Sequence, residues 1–153
     1  MKIPFLAFIF QGIPESIAMV TLAFVIARIP LQWKKIVFIG LIIATTSYVL
    51  RLLPITFGIH TVLLIVLFFI LLLWLGSNNV NTVLIACLIS NLATIISETL
   101  CLGLLMPLFG LTFDMLYENT LLRILMTLPQ VIVVFIAAYI VLQIQIKKTT
   151  KKV

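Results

Sequence analysis

Charge is what this chain has least of. Only 9% of its 153 residues are Asp, Glu, Lys or Arg, whereas 64% are hydrophobic, and its mean hydropathy is +1.38. A soluble domain carries about 25% charged and about 45–50% apolar residues. No soluble fold could cover this much hydrocarbon, so the scarcity of charge excludes a water-soluble globular domain and implies a polytopic integral membrane protein. Histidine occurs once and cysteine twice, too few for a His-rich metal site. No HExxH, no Gly-x-Ser-x-Gly elbow and no phosphate-binding glycine loop is present. The chain therefore reads as non-enzymatic, with no catalytic residue, no metal and no cofactor expected. Cys87 and Cys101 are about 21 Å apart along one helix, too far to form a disulfide within the chain. On a small-residue face they read as packing rather than as half of a Cys–His pair with His60.

Long apolar runs are what is there instead. Reading for runs of about 17–25 residues bounded by charge or turn residues gives an all-α bundle of five transmembrane helices, spanning about 3–27, 36–53, 59–75, 82–106 and 121–143. Together they form one membrane domain, 1–146, followed by a basic tail, 147–153. The first run has no basic n-region beyond Lys2 and no small-x-small cleavage site, and is expected to be retained rather than cleaved as a signal peptide. The loops are short, so consecutive helices are expected to be antiparallel neighbours.

Orientation follows from the short-loop Lys and Arg residues. Arg28, Lys34 and Lys35 in the first loop and Lys147, Lys148, Lys151 and Lys152 in the tail fall on one side of a five-span chain. The other side has Lys2, Arg51 and Arg123, offset by Asp114 and Glu118. The expected topology is N-terminus outside, C-terminus cytoplasmic, in the cell membrane. The net charge of +6 is accounted for by topology and attraction to anionic headgroups; the aromatics are not interleaved with the basic residues, so no nucleic-acid partner is expected. An overlay of "PESIAMV" on "SETLCLG" extends too short a distance to make an inverted repeat.

Small and polar residues mark helix–helix contact faces in lipid. Such stripes are Gln11, Glu15 and Ala18 with Gly12 alongside; Gly40, Ala44, Ser47 and Arg51; Cys87, Asn91, Thr94, Glu98 and Cys101, with Ala86, Ser90, Ala93 and Ser97 beside them; and Arg123, Thr127, Gln130, Val134 and Ala137. The third span has none and is expected to be the most lipid-exposed, with Trp74 as interfacial anchor. At ~1.5 Å per residue, Glu15, Arg51, Gln130 and Glu98 lie about 18, 22, 20 and 24 Å from the cytoplasmic side. They are expected to form one buried polar layer at or slightly outside the midplane, with Gln11, Asn91 and His60 as further members.

An ionised side chain at that depth costs at least about 2.5–3.5 kcal/mol and pairs or lines a polar cavity. Two carboxylates and one guanidinium leave one acid over. Three arrangements stay open: an ion pair of Arg51 with Glu15 or Glu98 that holds the bundle together, a ligand pocket or protonatable switch, and an uncoupled, water-exposed set. Pro14 deprives the Phe10 carbonyl of its usual donor. With Gly12 it is a candidate hinge at the polar layer.

The strings "GIPESIAMVTLAFVIARIPLQWKKI", "RLLPITFGIHTVL" and "LPQVI" resemble small membrane proteins of Gram-positive bacteria. Those are similar to the multi-span sensor region of peptide-responsive GHKL-type histidine kinases. The chain departs from the kinases after Gln145, where a lysine-rich tail stands in place of a phospho-acceptor helix and ATP-binding boxes. The resemblance implies a stand-alone sensory or accessory signalling subunit in bacterial signal transduction, and carries over no catalytic residues. Its expected partners are the lipid bilayer and a separate signalling kinase or another membrane subunit, with a homo-oligomer as a further arrangement. The alternatives are a small transport component, either a substrate-binding subunit or a cation- or proton-coupled carrier, and a structural membrane assembly protein.

Overall fold

The computed structural model describes residues 6, 8–52, 57–76, 79–110 and 119–150, with Phe57, Thr149 and Thr150 described by their backbone alone. Lys2, Leu53, Asp114, Glu118, Lys151 and Lys152 lie outside the described residues, as do residues 3–5 of the first span. The described chain is all-α. Five helical stretches are long and apolar enough to cross a membrane: Phe8–Ile26, Trp33–Leu52, Gly58–Leu75, Val80–Leu108 and Thr120–Lys148. The first joins a π-helix, Phe8–Gly12, to α1, Ile13–Ile26; the others are α2, Trp33–Leu52, α3, Phe57–Leu75, α4, Val80–Leu108, and α5, Thr120–Thr150. Helices α2 and α5 run further than the apolar runs because Lys34, Lys35, Lys147 and Lys148 stay helical. A lysine at a membrane helix end can lay its stem along apolar surface and reach water with its head.

The ends of these helices are set by local chemistry. Pro14 falls in the first turn of α1, directly after helical residues, so its missing N–H leaves a carbonyl of the preceding turn without its usual donor. At this candidate hinge the helix changes register, a five-residue π-helix followed at once by an α-helix. At the other end of α1, Arg28 adopts φ 55°, its N–H bonds to the Val25 carbonyl and that of Ile29 to the Phe24 carbonyl. This is the Schellman closure, with arginine where glycine is usual. Asn79 caps α4 by accepting a hydrogen bond from the Thr82 N–H at 3.5 Å.

Helix α1 is the hub, packed against α2, α4 and α5, whereas among the described residues α3 packs against α2 and α4. The stretch from Ser16 to Val25 is buried apart from half-buried Ile17. On α2 the buried positions Ile36, Ile39, Gly40, Ile43 and Ala44 follow the i, i+3, i+4 spacing of one helix face. Gly40 lets the two helices meet closely: a Cβ there would lie 2.8 Å from Ile17 Cγ1 and 3.2 Å from Ile17 Cα. Helix α3 is the least buried of the five and inserts only one edge, Phe68, Leu71 and Leu72, into the core; its Trp74 is exposed.

Two tertiary hydrogen bonds fix the polarity of the bundle. Lys35 Nζ donates to the Leu75 carbonyl at 2.9 Å, bringing the start of α2 to the end of α3. Gln145 Nε2 donates to the Val25 carbonyl at 2.9 Å, bringing the end of α5 to the end of α1. Arg28, Lys34, Lys35, Lys147 and Lys148 therefore gather at one end, the basic end.

The core is concentrated toward that end. Met19, Phe24, Ile36, Ile39, Phe68, Leu72, Val83 and Ala86 belong to its main cluster, and Leu22, Val25, Val134 and Ala138 join α1 to α5. Toward the far end, no residue of 45–52 on α2 or of 95–105 on α4 is buried. A small contact of Met106 with Met126 is what closes α4 onto α5 there. The bundle is packed in one half and loosely covered in the other, and Glu15 lies one residue beyond the last fully packed position of α1, Ser16.

Candidate functional site

Most hydroxyls on the contact faces are spent within their own helices. Thr21 donates to the Ile17 carbonyl, Ser90 to that of Cys87, Thr94 to that of Ser90 and Thr99 to that of Ile95. This back-bonding is how Ser and Thr satisfy themselves in a helix without a partner. Thr127 does the same toward the Arg123 and Ile124 carbonyls. Asn91 Nδ2 is likewise held by the Cys87 carbonyl at 2.8 Å. Asn91 thus has its amide nitrogen tied to its own helix, two turns nearer the basic end than Glu98.

What remains is a set centred on Glu15. The groups that act on its carboxyl are Glu98 of α4, Arg51 of α2, Gln130 of α5 and Arg123 of α5. Four helices thus converge on one carboxylate. Arg123 was recognisable as part of the α5 polar face but was not counted with the layer.

Arg51 differs from the buried partner expected. It is exposed, and it is the penultimate residue of α2, because the face that buries Gly40 and Ala44 is no longer covered by the last two turns. Among the described residues, no hydrogen bond or ion pair joins Arg51 to Glu15 or Glu98. Arg51 acts on Glu15 through its field without closing an ion pair on it.

Gln130 is the anomaly of the site. Its side chain is 0% exposed and its amide acts on the Glu15 carboxyl as a hydrogen-bonding neighbour, yet neither Nε2 nor Oε1 closes a hydrogen bond of full geometry. A buried amide left in that state costs about 1–3 kcal/mol, so it calls for an explanation. Gln130 directly follows Pro129, inside α5, as Glu15 directly follows Pro14. The two parallel helices at the hub each carry a proline next to the polar residue they bring to the layer. Pro129 removes the donor for the Leu125 carbonyl one turn back, a feature the adjacent "PQ" in the sequence could have signalled.

The remaining expected members are placed apart. Gln11 is half-buried on the π-helix one turn before Glu15 and makes no side-chain hydrogen bond among the described residues. Gly12 sits at the π–α junction in right-handed helical geometry. The π-helix is held to α2 by the Phe8 and Tyr48 rings, 4.8 Å apart between centroids. His60 is buried near the start of α3 with Nε2 unpartnered, but it is not among the groups acting on Glu15. Among the described residues no group of three or more His, Cys, Asp and Glu side chains could hold a metal ion.

Fold and site together define a small multi-pass helical membrane protein with an acid–guanidinium–amide layer where its packed half ends. No family model, no curated protein and no solved structure matches the chain.

Proposed function

We propose that the chain is a sensory or accessory signalling subunit of the cell membrane, with its N-terminus outside, its C-terminus cytoplasmic and the layer around Glu15 as its ligand site. The observation that carries this reading is the unspent polar capacity of the layer. A strut would close its charges into ion pairs and satisfy its amide, whereas Gln130 is buried without closing a hydrogen bond of full geometry and Arg51 is not closed on either glutamate. The loosely covered far half gives a ligand a way in, and the packed half gives a rigid body for the response. The clustering of Arg28, Lys34, Lys35, Lys147 and Lys148 at the packed end supports its assignment to the cytoplasmic side. A change at the layer would tilt α1 and α5 about Pro14 and Pro129 and move this basic rim against a separate signalling kinase or another membrane subunit.

The transport reading draws on one observation, that Glu15 and Glu98 lie within each other's field, an arrangement suited to a cation or proton. A strain lacking the chain, complemented with wild type or with the Glu15→Gln/Arg51→Leu double variant, separates these readings. Signalling predicts that transcript levels are restored by wild type and not by the double variant, with both proteins equally abundant in the membrane. It also predicts no pH- or substrate-dependent flux in proteoliposomes. Flux would replace it with transport, and full complementation by the double variant would leave only the structural assembly role.

A further inference from the structure

The exposed tryptophans and tyrosine mark where the hydrocarbon ends. Trp33 opens α2, Trp74 is one residue from the end of α3, and Tyr139 follows Ala138, which packs with Leu22 and Val25 near the end of α1. All three are exposed, and no other Trp or Tyr is exposed among the described residues. All three lie at the basic end of the bundle, and such side chains settle at the membrane–water boundary. Helix α5 does not stop at this belt. It continues from Tyr139 to Thr150, about 16 Å at 1.5 Å per residue, and an average tilt of about 20° shortens this by only about 1 Å. The headgroup layer adds only about 5–7 Å beyond the hydrocarbon on each side, so the last turns of α5 stand clear of the lipid.

Those turns are not dressed for water. Ile136, Ile140 and Ile144 are exposed at the i, i+4 spacing of one helix face. Exposed Lys148 continues that face, with Lys147 beside it. Gln145 turns instead to the Val25 carbonyl. No acidic residue follows Glu118 in the sequence, so the extension has an apolar edge and a positive end with no acid of its own. A second copy is a poor occupant, because it would set the same lysines against Lys147 and Lys148, and like charges repel. Lipid is a poor occupant too, since exposed Ile146 already lies about 10 Å past Tyr139.

We propose that residues 140–148 of α5 dock an acidic amphipathic helix of a partner protein at the basic end of the bundle. Its apolar face covers Ile140 and Ile144 through the i, i+4 anchoring of helix recognition, and its Asp or Glu side chains meet Lys147 and Lys148. The inference rests on the reading of the basic rim as the surface that moves against a partner, and adds the chemistry by which that partner is recognised.

The test uses the full chain in its native membrane, with photoreactive benzoylphenylalanine in place of Ile144 or, as the control within the hydrocarbon, of Ile132. Illumination should give a protein adduct from position 144 and none from position 132. The adducted peptide, sequenced by mass spectrometry, should carry apolar residues at helical spacing with Asp or Glu beside them. Lys147→Glu/Lys148→Glu should cut the adduct yield by about tenfold or more, while Lys147→Arg/Lys148→Arg should leave it within about twofold. Lysine in place of the partner's acidic residues should restore the adduct to the Lys147→Glu/Lys148→Glu chain, which separates charge matching from a failure of that variant to insert. An adduct with lipid alone or with a second copy of the chain overturns the proposal, as does an adducted peptide without acidic residues or a yield unmoved by charge reversal. If position 144 captures no protein but Glu15→Gln/Arg51→Leu still fails to complement, the docking surface falls and the signalling reading stands. Complementation by that variant removes the signalling reading whatever position 144 captures.

Discussion

The Gln145 amide donates to the Val25 carbonyl at 2.9 Å, across a sequence separation of 120 residues. That carbonyl belongs to the last turn of α1, where no intrahelical donor is available to it, and it also receives the Arg28 N–H at 3.1 Å. The bond fastens the last helix to the first at the basic end, so the packed half is closed by a polar tie as well as by Leu22, Val134 and Ala138. Gln145→Leu should lower stability by at least about 0.5–1.5 kcal/mol, the net worth of this one hydrogen bond, although the carbonyl keeps its backbone donor. Thermal unfolding in detergent followed by tryptophan fluorescence measures this. A loss several times larger would mean that Gln145 holds more than this carbonyl.

Gly40 should be among the least tolerant positions of the bundle. A Cβ would meet Ile17 at 2.8 Å on the side chain and at 3.2 Å on the backbone, and backbone cannot rotate away. Gly40→Val is expected to destabilise by about 1–3 kcal/mol, the usual cost of overpacking. Gly103, with nothing within 4 Å of its would-be Cβ, is the control: Gly103→Ala should leave the melting temperature unchanged or raise it.

Gln130→Leu should act in the opposite direction. It removes a buried amide that closes no hydrogen bond of full geometry and substitutes a side chain of similar size, so stability should rise by up to about 1 kcal/mol. Complementation in the deletion strain should be lost in the same variant. A gain in stability with loss of function is the signature of a polar group kept for binding, and a loss of stability would place Gln130 among the structural residues.

Arg28 occupies a left-handed position, φ 55°, that favours glycine. Arg28→Gly should relieve backbone strain of about 1 kcal/mol and raise the melting temperature of the inserted protein. It also removes one of the charges that set topology. Cysteine-accessibility labelling in cells should therefore show a larger fraction of inverted chains, even as the correctly inserted ones become more stable.

The architecture was largely legible in the sequence because lipid leaves little choice. A run such as "TVLLIVLFFILLLWL" can only be a helix in hydrocarbon, and its lack of a small-residue stripe foretold that α3 would be the least buried. Span ends were less legible, since hydropathy stops at Lys34 and Lys35 whereas the helix does not. The site was legible in part. Spacing brought Glu15, Glu98 and Gln130 to inward faces, but it could not show that Asn91 would be consumed by the Cys87 carbonyl. Nor could it show that α2 would be uncovered at Arg51, since a helical stripe predicts a face and not how far its neighbour extends. Arg123 lay on a recognised face and was left out of the layer because depth counted in residues ignores the reach of a guanidinium.

The central claim is that Arg51 stands at the layer without being closed on Glu15. A double-mutant cycle between Glu15→Gln and Arg51→Leu, read as unfolding free energy in lipid nanodiscs, tests it most directly. The account predicts a coupling of about 0.2–1 kcal/mol, the range of exposed pairs that are not locked together. A coupling of about 3–5 kcal/mol, as for a buried ion pair, would contradict it and make the layer a strut.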